Sequence, residues 1–221
     1  LIGIRSCDLH AIGILDKVFL EGAYKDPRYA KRRENVLVIG VNCTSPGNLC
    51  FCESMGTGPE VKQGYDIRIT ELQKDLLLEA GSEQGKGLLD LIDFDEAPEE
   101  LFELKTNMLT VAREKMGRTV ADVDWQTILL SNKHHSNWDK LAERCLSCGN
   151  CTMVCPTCFC FNVDDVSVLD KSQSERVRTW DSCFNADHSL THGSPHRKTA
   201  KQRYRQWLTH KFGTWHSQFD S

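Results

Sequence analysis

No run of the 221-residue chain approaches the roughly 18 consecutive apolar residues that a membrane span requires, so no membrane insertion is expected. A dominant charge of one sign is missing too. The 27 Lys and Arg residues face 31 Asp and Glu, a formal net charge of −4, which supplies no overall attraction to nucleic acid or anionic lipid. Nucleophile–base pairings are absent: His134-His135 stands alone and reads as surface. Gly56-Thr57-Gly58 does not fit the dinucleotide fingerprint, which follows a strand and opens a helix, so flavin or nicotinamide binding in this chain is not expected. No catalytic residue is assigned. Neither an internal repeat nor a signal peptide is visible. The sequence opens on Leu1 inside an apolar run, Leu1-Ile2-Gly3-Ile4, and is expected to be a fragment continuing upstream.

What the chain does have is cysteine, 11 residues of it. Two chemistries use that many: a disulfide framework outside the cell, or metal sites inside it. Spacing decides between them. Disulfide partners need opposed side chains with Cα atoms about 5.5 Å apart, so frameworks spread their cysteines along the chain. Here seven of the 11 lie between Cys145 and Cys183, and the total is odd. Metal-loaded thiolates in a cytoplasmic protein are the better reading.

The expected fold is α+β. Residues 1–80 read as an α/β domain with a mostly parallel sheet: strands at Leu1–Arg5, Val36–Val41, Ile67–Thr70 and Leu76–Ala80. A helix through about Leu20 is expected to start from an Asp8 N-cap, with Leu9, Ile12, Leu15 and Phe19 on its apolar face. Residues 81–144 read as a helical linker, in which Gly81, Gly85 and Gly87 break the chain. Helices follow over Pro98–Met116, Trp125–Leu130 and Asn137–Arg144, and the acids between Asp93 and Glu100 form a solvated face. Residues 145–221 read as an irregular, α-rich ferredoxin-type segment with a basic tail.

Within that segment, Cys145-Leu-Ser-Cys148-Gly-Asn-Cys151-Thr-Met-Val-Cys155-Pro156 is a C-x2-C-x2-C-x3-C-P run. Each iron of a cubane needs one thiolate, and three cysteines on a tight loop can reach three corners of one cube. In two-cluster ferredoxins the fourth cysteine ligates the other cluster. Zinc fits poorly, because structural zinc sites use C-x2-C pairs separated by a dozen or more residues. The motif therefore predicts [4Fe–4S] chemistry.

Residues 144–161 resemble the iron–sulfur β subunits of sulfhydrogenases, the soluble NAD(P)-linked NiFe hydrogenases, and the corresponding iron–sulfur chain of anaerobic sulfite reductase. Arg5-Ser6-Cys7-Asp8, Cys50-Phe51-Cys52, Trp180-Asp181-Ser182-Cys183 and Arg203–Lys211 match as well. The family usually has Pro at the position of Ser6, and its second cluster motif would follow soon after Trp215. The resemblance implies a two-cluster domain of which this sequence carries the first half, and which would hold its clusters poorly without the second. It also implies partners: a flavoprotein subunit that handles NAD(P)H, and the catalytic subunit of a hydrogenase or sulfite reductase, with electrons passing between them.

Seven cysteines remain. Cys7 falls at a helix start, where the helix dipole is expected to lower its pKa, and Cys43 lies past a strand end. Pro46-Gly47-Asn48 would turn Cys50 and Cys52 back toward the same edge, so the four are candidates for a third cluster, with buried structural thiols as the alternative. Cys158 and Cys160 follow the motif so closely that they must lie near a cluster, and Cys183 is left without an assigned role. They could shield it, donate hydrogen bonds to it, or bind zinc with His188 or His192. The basic tail from His196 to Lys211 could stabilise an anionic cluster or simply be a solvated helix face. The function expected is electron transfer inside an oxidoreductase complex. A zinc-stabilised nucleic-acid-binding protein and an enzyme with a purely structural cluster are the rivals.

Overall fold

The computed structural model describes residues 1–169 and 173–219. The chain divides into two compact units, Leu1–Val123 and Asp124–Ser221.

The first unit is built on a four-stranded sheet in the order β1 (Ile2–Ile4), β2 (Ile39–Val41), β3 (Ile67–Glu71), β4 (Leu76–Ala80). The first three strands run parallel and β4 returns antiparallel from β3. Between β1 and β2 lie α1 (Ser6–Leu20) and α2 (Pro27–Arg33); α3 (Glu83–Leu89) and α4 (Glu99–Glu114) follow the sheet. Leu9 from α1 packs with Val38 and Val61 in the core, and Ile4, Ile12, Val36 and Tyr65 close around them. Burial of Val38 beneath this helix fits the apolar run at Val36–Val41, whereas β1 at the sheet edge stays largely exposed.

Buried polar groups in this unit are paired. Asn42 donates from Nδ2 to Thr70 Oγ1 at 2.8 Å, and its Oδ1 accepts from the Val61 amide at 2.7 Å. Arg68 on β3 and Lys105 on α4 both reach Glu79 on β4, so one carboxylate ties the helix to the sheet.

Two local expectations need correction. α1 begins at Ser6 with Arg5 as its N-cap, and no side chain caps it. Asp8 sits in the first turn instead, where its charge still favours the positive end of the helix. Gly85 and Gly87 do not break the chain but lie inside α3. The Ser82 hydroxyl accepts from the Gly85 amide at 3.0 Å and donates to Asp66 at 2.6 Å, and this capped, anchored start outweighs the poor helix propensity of glycine.

The second unit holds α5 (Trp125–Ser131), α6 (Asn137–Glu143) and the short α7 (Asn150–Met153). An antiparallel ribbon follows, β5 (Phe161–Ser167) against β6 (Ser174–Trp180), then a two-residue pair, β7 (Leu190–Thr191) with β8 (Ser194–Pro195). α8 (Ala200–Thr209) opens with a reciprocal capping box between Thr199 and Gln202. A π-helical turn at His210–Thr214 and α9 (Trp215–Phe219) end the described chain. The ribbon within the segment read as irregular and α-rich is the main addition. Both of its faces lie largely in solvent, so its strands carry no apolar alternation to read.

Candidate iron–sulfur sites

Cys145 follows directly on the end of α6, and its amide donates to the Ala142 carbonyl at 3.1 Å. The chain then doubles back through two left-handed residues, Ser147 at φ 51° and Gly149 at φ 75°. Gly149 is the N-cap of α7, and a Cβ there would lie 3.2 Å from the Ser182 hydroxyl, so both conformation and space require glycine. This bend brings Cys145, Cys148 and Cys151 to the wall of one cavity of about 420 Å³. Phe184, Tyr204 and Trp207 line the same cavity and pack against each other with ring centroids 5.5–6.2 Å apart.

A hydroxyl pair holds that wall. Thr152 on α7 and Ser182 are buried with their oxygens 2.6 Å apart, and the Phe184 amide donates to Ser182 Oγ at 3.1 Å. Trp207 Nε1 is buried with no hydrogen-bond partner among the described residues. A buried N–H left unpaired carries a desolvation cost, and the Trp207 side chain that bears it lines this thiol-walled cavity. The donor set, the roomy cavity and the orphan N–H together match a [4Fe–4S] cluster.

Cys155 is not among the residues lining this cavity. Its Sγ lies 3.1 Å from Thr157 Oγ1, and Lys211 Nζ donates to both, at 3.2 Å and 2.7 Å. Hydrogen bonds from Cys158 and Thr157 and the charge of Lys211 overcome burial and bring the Cys155 thiol down to about 4. Cys158, the donor in that pair, is pushed up. Cys158, Cys160, Cys183 and His188 line a smaller cavity of about 100 Å³, which Trp207 and Lys211 share. His188 Nδ1 is 2.6 Å from Asp181, while burial first, and neighbouring thiols second, raise Cys183 to about 11.

In the first unit, Cys52 lies within electrostatic range of Cys7, Cys43 and Cys50, and Cys7 within range of Cys43. The Cys7 thiol is raised, contrary to the expectation from its place at the start of α1: burial and the neighbouring Asp8 carboxylate outweigh the backbone N–H groups. None of the 11 cysteines is in a disulfide. Among the described residues, no three His, Cys, Asp or Glu side chains close on a single metal ion. His192, raised as a zinc ligand, does not line the smaller cavity.

Residues 144–221 match the 4Fe-4S dicluster domain family, and residues 106–159 match a second family of the same description. Sulfhydrogenase 2 subunit beta of Pyrococcus furiosus is 38% identical over 211 residues, which are 93% of this chain and 61% of that protein. The chain is similar to that sulfhydrogenase beta subunit. It spans about 61% of the length of that relative. No solved structure matches it. Its dicluster segments mark it as an iron–sulfur chain of the [4Fe–4S] type, and it has an α+β fold in which no helix among the described residues is long and apolar enough to cross a membrane.

Sequence reasoning did not single out the residues that shape the chain's cavities. Ser182 appeared only within a matching stretch, Trp207 as an aromatic interleaved with Tyr204 in the basic tail, and Lys211 as one charge of that tail. His196 and Lys198 of that tail are exposed, whereas every residue of α8 and of the π turn is at least partly buried. The spacing of Lys211 within a π-helical turn was the one unread signal, since π turns concentrate at functional sites.

Proposed function

We propose that this chain is the electron-transfer subunit of a cytoplasmic oxidoreductase complex. It would relay electrons between the catalytic subunit of a hydrogenase and an NAD(P)H-linked flavoprotein, with a sulfite reductase as the alternative terminal partner. The observation that carries the reading is the cavity walled by Cys145, Cys148 and Cys151 and backed by three packed aromatic rings. The printed name of the Pyrococcus relative supports the hydrogenase side.

A [4Fe–4S] cluster supplies reversible one-electron chemistry at a potential set by its surroundings. This chain's residues do the rest. The three thiols of the cavity would hold one cluster, and the Cys155 thiolate, set apart beside Lys211, is placed to serve a second. Phe184, Tyr204 and Trp207 exclude water from the first site. The Trp207 N–H and the Lys211 cation favour the more negative, reduced state.

The test is made in the assembled complex. Adding NADPH anaerobically should bleach the visible absorbance of the chain, and Cys148→Ala should remove the share of that response due to the motif cluster while flavin reduction persists. If the Cys148→Ala complex still passes electrons from NADPH to the terminal acceptor at the normal rate, the relay role is wrong.

A further inference from the structure

We infer that Cys7, Cys43, Cys50 and Cys52 ligate a [4Fe–4S] cluster of their own in the first unit, independent of the ferredoxin motif. This goes beyond the relay reading, which needs only residues 124–221, and beyond the matched dicluster segments, which start at residue 106.

The chain brings these thiols together from three separate places. Cys7 is in the first turn of α1, just past β1. Cys43 follows β2, so both sit beyond the C-terminal ends of adjacent parallel strands, where open α/β sheets build their sites. Cys50 and Cys52 come from the long connection to β3, and backbone hydrogen bonds fix that connection in place. The Cys43 amide donates to the Pro59 carbonyl at 3.1 Å, the Cys50 amide to Gly47 at 3.0 Å, and the Thr57 amide to Cys52 at 2.9 Å. Gly58 is the point of closest approach. A Cβ on it would stand 3.0 Å from Cys52 Sγ and 3.5 Å from the Ser6 Cβ, so the absence of a side chain there lets the loop close on both Cys52 and the start of α1.

Three observations separate a cluster from the alternatives. Structural thiols are usually buried in the core, whereas none of these four residues is fully buried. A zinc ion draws four ligands onto one centre at about 2.3 Å, yet no three of these side chains close on a single ion. A cubane takes one thiolate at each of four irons and so needs thiols gathered around a larger body; Cys52 and the start of α1 flank Gly58, and Cys52 lies within electrostatic range of Cys7, Cys43 and Cys50. Lastly, Arg5 Nη1 donates to Cys43 Sγ at 3.5 Å, placing a cation and a hydrogen bond where four thiolates would otherwise repel each other.

The experiment uses the whole chain with Cys145, Cys148 and Cys151 all changed to Ala, reconstituted anaerobically with ferrous iron and sulfide. About four irons and four sulfides per chain are expected, with the signal of a reduced cubane by electron paramagnetic resonance after dithionite. Adding Cys50→Ala or Cys52→Ala to that variant should abolish both the iron and the signal. Arg5→Gln in the same background should keep the iron and lower the reduction potential. A triple variant that keeps its helical circular dichroism and binds no iron overturns the inference, as does one that takes up one zinc in preference to iron. If iron survives the loss of Cys50, the ligand set is wrong. The motif cluster is read separately, as the iron lost between the natural chain and the triple variant, so failure of one site does not imply failure of the other.

Discussion

The cysteines announce themselves by spacing, but the side chains that make their sites work do not. Cys145, Cys148, Cys151 and Cys155 are legible because tight loops and cubane stoichiometry leave few other readings of C-x2-C-x2-C-x3-C-P. Trp207 is illegible because its importance rests on a fact of packing: its N–H is buried, beside a thiol-lined cavity, and has nothing among the described residues to donate to. That orphan donor yields a prediction. Trp207→Phe keeps an aromatic ring against Phe184 and Tyr204 while deleting the N–H. Iron content should stay the same and the reduction potential of the motif cluster should fall in a redox titration, because the more negative state loses a hydrogen-bond donor. A potential equal to that of the natural chain would show that the indole faces away from the cluster. Cys7 teaches a different lesson at this scale. Position at a helix start argues for a lowered thiol pKa, but the adjacent Asp8 carboxylate and burial act the other way and win.

Among the elements, those that bury a face were readable and those that do not were missed. β3 and β4 were placed within a residue of their ends, and α4, α5 and α6 within about two, because apolar residues recur along one side of each. The β5–β6 ribbon was invisible for the opposite reason, since its side chains face solvent on both sides. α8 was read only as one option for the basic tail, a helix face, and each of its residues is partly buried. The join between β4 and α4 makes a testable element-scale statement. Burial raises the Glu79 carboxyl, but hydrogen bonds and charge from Arg68 and Lys105 outweigh it and hold the group below its ordinary range. A carboxyl depressed in the folded state contributes stability that is present above the unfolded value, about 4.3, and is lost as pH falls through the folded one. The melting temperature of the first unit should therefore drop on acidification below about pH 4.5, on the order of that unfolded value. Glu79→Gln should be less stable at neutral pH and should lose much of that acid sensitivity. A natural chain and variant with the same acid slope would contradict the assignment.

At the scale of the whole molecule, the two units differ in what can hold them together. The first has an interior of its own, with Leu9, Val38, Val61, Ile67, Leu77 and Leu109 all buried. In the second, Leu129, Trp138, Phe184 and Trp215 are the buried apolar residues among those described, a thin core for a segment of that length. Metal binding in such segments is itself folding free energy. Stripping iron with a chelator should thus broaden the amide spectrum and raise the hydrogen exchange of residues 124–219 while the β1–β4 sheet stays protected. Equal loss of protection in both units would refute this division. The pairing of Thr152 with Ser182 has one more consequence, and it concerns rate. An electron carrier is slowed by every group that must shift when its charge changes. With these two hydroxyls locked together, the Phe184 amide tied to one of them, and three rings packed behind, the wall of the cysteine cavity has little freedom to respond. Dipoles fixed before the event need no rearrangement during it. The same latch that keeps α7 against the Ser182 loop predicts that this wall adds little to the reorganisation energy of a cluster held by the three thiols.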